Sequence, residues 1–84
     1  MKIKEKLAAR EVAGELYIVD IEAETLHALN PTAAFIWECL KKGLTAEKTA
    51  SCLVAEFEVT PEEAQNDADL FIETLKTKGL LLRT

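Results

Sequence analysis

The stretch Thr25-Leu26-His27-Ala28-Leu29-Asn30-Pro31-Thr32 holds the point at which the chain changes its period. Before it, hydrophobic residues follow strand habits; after it, they follow a helical stripe. Asn30 suits a helix N-cap, because its side-chain oxygen can accept from a backbone N–H of the first turn. Pro31 suits the first helical position, where its missing N–H is not needed. The junction therefore closes a strand over Thr25–Leu29 and opens a helix.

Toward the N-terminus, Leu16-Tyr17-Ile18-Val19-Asp20-Ile21 is rich in β-branched and aromatic residues and reads as a strand. Ala13-Gly14-Glu15 is a turn signal ahead of it, and Arg10-Glu11-Val12 ends an earlier strand that begins near residue 8. Glu22-Ala23-Glu24 is a polar turn. Short connections make neighbouring strands antiparallel, so residues 8–29 are expected to form a three-stranded meander. Whichever strand lies at the edge keeps a row of unpaired N–H and C=O groups.

Toward the C-terminus, Ala33, Ile36, Trp37, Leu40 and Leu44 share one helical face, and Gly43 ends that helix. Thr45 caps a second helix with the stripe Ala46, Ala50, Leu53, Val54 and Phe57. Thr60-Pro61-Glu62-Glu63 starts a third: an N-cap Thr, Pro at the first position and Glu three residues after the cap. It is expected to run to Lys78, with Gly79 as its stop and Ala64, Ala68, Phe71, Ile72 and Leu75 as its stripe. Leu80-Leu81-Leu82 reads as a short strand packed back on the helices. The expected fold class is α+β and winged helix-turn-helix-like: a three-stranded antiparallel sheet followed by a three-helix bundle, as a single domain over 1–84. The second and third helices, joined by Glu58-Val59, make the helix-turn-helix pair. Here the sheet precedes the helices, whereas a wing usually follows them.

Of the 84 residues, 49% are hydrophobic and 30% charged, a composition that packs a core rather than staying disordered. No apolar run is long enough to cross a membrane, and the N-terminus lacks the apolar centre of a signal peptide, so a cytoplasmic location is expected. The net charge of −5 opposes docking on phosphate backbones or anionic lipid. The third helix carries Glu62, Glu63, Asp67, Asp69 and Glu73 against Lys76 and Lys78, the wrong balance for entering a DNA groove. Cys39 and Cys52 are widely spaced and His27 is the sole imidazole, too few ligands for zinc and too few groups for a nucleophile–base pair. The isolated glycines make no phosphate loop. No catalytic residue, metal or cofactor is expected.

Two apolar residues, Phe35 and Leu70, fall off their helical stripes. Leu70 shares a side of its helix with Asp67, Thr74 and Lys78. A sheet edge beside that mixed surface makes a groove to which an extended peptide could add as a strand. The residues alone leave three readings open: this peptide groove, a winged-helix DNA-binding or regulatory protein, and a dimerisation module using Phe35 and Leu70.

The chain resembles the PqqD family, named for coenzyme PQQ biosynthesis protein D. The resemblance rests on Arg10-Glu11-Val12, Glu15 and Val19-Asp20, then His27-Ala28-Leu29-Asn30-Pro31-Thr32, Ile36-Trp37 and Leu40. It continues through Leu44-Thr45, Ala50, Leu53, Val59, Glu63-Ala64, Asp67-Ala68, Phe71-Ile72, Leu75 and Gly79-Leu80. One departure is Ala33 or Ala34, where the family often has Gly after the Thr. The resemblance implies a recognition element for ribosomally made, post-translationally modified peptides (RiPPs). Such an element binds the leader of a precursor peptide as an added strand against its third strand, in a cleft walled by its third helix. It then presents the precursor to a modifying enzyme, often a radical SAM enzyme, protease or cyclase, in PQQ or other RiPP biosynthesis. Carried over by position, the peptide-binding residues are Thr25, Leu26, His27, Ala28 and Leu29 on the strand and Asp67, Leu70, Phe71, Thr74 and Lys78 on the helix. Phe71 and Leu75 also belong to the core stripe. The oligomeric state, monomer or homodimer, is left open by the sequence.

Overall fold

The computed structural model describes residues 2–82. In chain order it contains β1 (Lys2–Ile3), β2 (Leu7–Val12), β3 (Glu15–Asp20), β4 (Thr25–Leu29), α1 (Pro31–Lys41), α2 (Ala46–Glu56), α3 (Pro61–Thr77) and β5 (Leu81–Leu82). Strands β2, β3 and β4 form the expected antiparallel meander in that spatial order. The β2–β3 connection is Ala13-Gly14, with φ of 53° and 83°, and Glu15 belongs to β3 rather than to the turn. Two successive residues at positive φ match the twist of a tight hairpin; Gly14 adopts this freely, whereas Ala13 bears a Cβ penalty.

Register decides which residues face the helices. Ile18 opposes His27, Leu16 opposes Leu29 and Asp20 opposes Thr25, so these residues share the core-facing side. Tyr17, Val19, Leu26 and Ala28 share the other face, and Leu26 is 63% exposed.

Each helix begins with the cap that local chemistry predicts. Asn30 Oδ1 accepts from Ala33 N–H at 2.8 Å, Thr45 Oγ1 from Lys48 N–H at 3.1 Å and Thr60 Oγ1 from Glu63 N–H at 3.1 Å. Pro31 and Pro61 occupy the first turns of α1 and α3. The core gathers Ile18 and Leu29 from the sheet with Ile36, Trp37 and Leu40 of α1, Leu53 of α2 and Ile72 and Leu75 of α3. Burying each such large apolar side chain contributes about 1.5–3 kcal/mol.

Besides Glu15, other details depart from the sequence-based expectation: Ile21, expected in the strand, lies past the end of β3 in the turn and is exposed. Val54 was placed on the buried stripe of α2 but is 37% exposed. Phe35 was placed off the stripe of α1, yet it is half-buried, with its ring 5.4 Å from that of Phe57 and at 85° to it. Helix α1 packs on two flanks, so a single-stripe reading misassigns the second. The strand β1 was not expected; it pairs antiparallel with β5, the short strand that Leu80-Leu81-Leu82 did suggest.

Lys4 ties this two-stranded ribbon to the main sheet. Its N–H donates to the Leu80 carbonyl at 3.0 Å, and its Nζ donates to Asp20 Oδ2 at 2.8 Å. Asp20 is buried and also accepts from Ala23 N–H at 3.1 Å through Oδ1, which shapes the β3–β4 turn. Both bonds favour the carboxylate, with the Lys4 ammonium first, and hold Asp20 below the usual carboxylate range.

Candidate functional site

Strand β4 is one edge of the main sheet and β2 is the other. The two edges differ in charge. Strand β2 carries Arg10 and Glu11, whose charges oppose pairing with a further strand. Strand β4 carries no formal charge: Thr25, Leu26, His27, Ala28 and Leu29. Thr25 Oγ1 and His27 Nε2 lie 3.1 Å apart on the side that faces the helices, so the imidazole is engaged with its own strand. Leu29 is only 8% exposed and belongs to the core cluster. The exposed residues of β4 are Thr25, Leu26 and Ala28.

Where β4 ends, a groove of about 310 Å³ opens between the start of α1 and the outer side of α3. Asn30, Thr32, Ala33 and Ile36 form one wall; Asp67, Leu70, Phe71 and Thr74 form the other. Asp67, Leu70, Phe71 and Thr74 recur at helical spacing, which puts them on one side of α3. Leu70 is 70% exposed, more than the other exposed large apolar residues of the described chain. Phe71 serves both surfaces at once: it is half-buried, packs against the core and lines the groove. Thr74 Oγ1 donates to the Leu70 carbonyl at 2.9 Å, which fixes its rotamer.

Lys78 is the C-cap of α3 and does not line this groove. Thr32, Ala33 and Ile36 do line it, although helical spacing alone puts Ala33 and Ile36 on the core stripe of α1. Their role depends on how α1 crosses α3, which no local pattern encodes. Among the described residues, no three His, Cys, Asp or Glu side chains converge as metal ligands.

The coenzyme PQQ synthesis protein D (PqqD) family model matches residues 15–81, from β3 to the start of β5. The chain belongs to the PqqD family. Its fold is shared with two solved structures. TbiB1 in complex with the TbiA(beta) leader peptide superposes with a TM-score of 0.90 at 24% identity, covering 100% of this chain and 98% of that one. Lasso peptide synthetase B1 complexed with the leader peptide gives a TM-score of 0.89 at 24% identity, covering 98% and 96% of the two chains. At this identity the likeness is one of fold. No protein of curated function matches the chain in sequence. Within the PqqD family match fall β4, both walls of the groove and the whole of α3.

Proposed function

We propose that the chain is a non-catalytic, single-domain adaptor over 1–84 that binds the leader of a ribosomally synthesised precursor peptide and presents it to a modifying enzyme. The observation that carries this reading is the uncharged edge strand β4 running into a groove walled by exposed Leu70. The leader adds as a strand along Thr25, Leu26, His27, Ala28 and Leu29, whose unpaired backbone groups supply hydrogen bonds independent of sequence. Its side chains meet Asp67, Leu70, Phe71 and Thr74, which supply selectivity, and Lys78 lies at the far end of that helix as an exposed cation. Two fold relatives, TbiB1 and lasso peptide synthetase B1, are described as complexes with leader peptides, which supports the same use of the fold here. The enzyme that receives the precursor is a radical SAM enzyme, a protease or a cyclase, in the cytoplasm, and the adaptor contributes no chemistry of its own.

The test is a titration of the ¹⁵N-labelled chain with the leader of a precursor peptide encoded beside its gene. Amide shifts concentrated in 25–29 and 61–78 are expected. Ala28→Pro removes one strand N–H and locks the backbone angle. It should weaken binding by at least tenfold while circular dichroism reports an intact fold, on the order of 1.4 kcal/mol or more. Unchanged affinity in a folded variant would exclude β4 as the docking edge.

A further inference from the structure

A second groove, of about 440 Å³, lies on the opposite flank of α1. Residues 32, 33 and 36 of α1 face the β4–α3 groove, whereas 31, 34, 35 and 38 face this one. At about 100° per residue these sets point to nearly opposite sides of the helix. An extended peptide on β4 and α3 therefore leaves the α1–α2 side of the second groove open, and Leu29, the last residue of β4, is where the two sites adjoin.

The floor of this groove is apolar: Leu16 and Leu29 from the sheet and the edge-to-face pair Phe35 and Phe57. Its rim is uniformly acidic, with Glu11, Glu38 and Glu56 and no basic residue among its lining. Glu38 has only an exposed contact with Lys41 at 3.7 Å, a pair of small worth. Glu11 and Glu56 make no ion pair among the described residues. Glu56 is also the last residue of α2, where unpaired carbonyls and the helix dipole add further negative potential. An apolar floor inside an acidic rim matches a partner that brings a large apolar side chain between cations. Rim charges of this kind steer encounter and reject acidic competitors.

We propose that this groove docks a basic segment of the modifying enzyme, with an aromatic or aliphatic anchor seated on Phe35 and Phe57 between Lys or Arg residues. This identity of the partner rests on the leader-capture reading; the groove chemistry does not. The adaptor then holds the precursor on one flank of α1 and the enzyme on the other.

The probe is a 12-residue peptide with a central Leu-Phe pair flanked by Lys and Arg, beside a second peptide with Glu at the flanking positions. Titrated into the full ¹⁵N-labelled chain at low salt, the basic peptide should shift amides at Leu16, Leu29, Phe35, Glu38 and Phe57 and leave 25–28 unmoved. The acidic peptide should not bind. Reversal of two exposed rim charges, Glu38→Lys with Glu56→Lys, should weaken the basic peptide by about tenfold, and added salt should weaken it in the wild-type chain. The same shifts should appear when the chain is first saturated with leader peptide. Equal binding of both peptides, shifts centred on β4, or no shift at millimolar peptide would each overturn the proposal. Leader capture is scored by its own titration at β4, so failure of either reading leaves the other measurable.

Discussion

Asp20 joins three parts of the molecule through one carboxylate. It sits at the end of β3, accepts from the β3–β4 turn at Ala23 and accepts from Lys4 beside the β1–β5 ribbon. Burial alone would favour its neutral form, but the Lys4 ammonium and the Ala23 N–H outweigh burial and lower its pKa. A carboxyl whose folded value is lowered stabilises the fold above its unfolded value, near pH 4, and that contribution disappears as pH falls through the folded value. Lys4 shifts the opposite way, raised chiefly by its bond to Asp20, so its share is present below its unfolded value and is lost as pH rises past the folded one. Asp20→Asn should therefore lower the urea midpoint at pH 7. The gap between variant and wild type should narrow as pH drops below about 4. A gap that stayed constant from pH 7 to pH 2 would show that the charge of Asp20 is not what stabilises the turn.

Helix α3 has two chemically different faces. Ala64, Ala68, Ile72 and Leu75 are buried, whereas Leu70 points outward into the β4–α3 groove. Leu70→Ala should leave stability within about 0.5 kcal/mol of wild type, because no core contact is lost. Leader affinity should fall about tenfold, the scale of an apolar anchor. Leu53→Ala in α2, at a residue 1% exposed, should do the reverse: lose about 2–5 kcal/mol of stability. Urea denaturation and calorimetric titration of both variants separate the two effects. This division was legible in the sequence at Leu70, which breaks the stripe of α3. The caps at Asn30, Thr45 and Thr60 were legible for a related reason: each is settled by residues within one helical turn. Phe35 was not, because its partner Phe57 lies beyond α2 and no single-helix pattern relates them. The inner wall of the groove was also hidden, since Ala33 and Ile36 meet Asp67 and Phe71 only through tertiary crossing.

Across the whole molecule, residues near the two ends of the chain meet. Lys2 pairs with Leu82 and Ile3 with Leu81, a strand pairing that closes the longest loop in the fold and leaves no local trace around β1. The consequence for stability lies in the residues just after α3. Leu80 and Leu81 are 1% and 3% exposed and belong to the core cluster, although they follow the last helix. A chain of 84 residues has a total stability of about 4–13 kcal/mol. A single buried Leu→Ala costs about 2–5 kcal/mol, and the two losses couple rather than simply add because Leu80 and Leu81 are neighbours in one cluster. That is a large share of the whole, so Leu80→Ala with Leu81→Ala should lower the thermal midpoint followed by far-UV circular dichroism by roughly 10 °C or more. Leu82→Ala provides the control: that side chain is 43% exposed, and its truncation should shift the urea transition by less than about 1 kcal/mol. A double variant that melts like wild type would mean that β5 packs on the bundle without being part of its core.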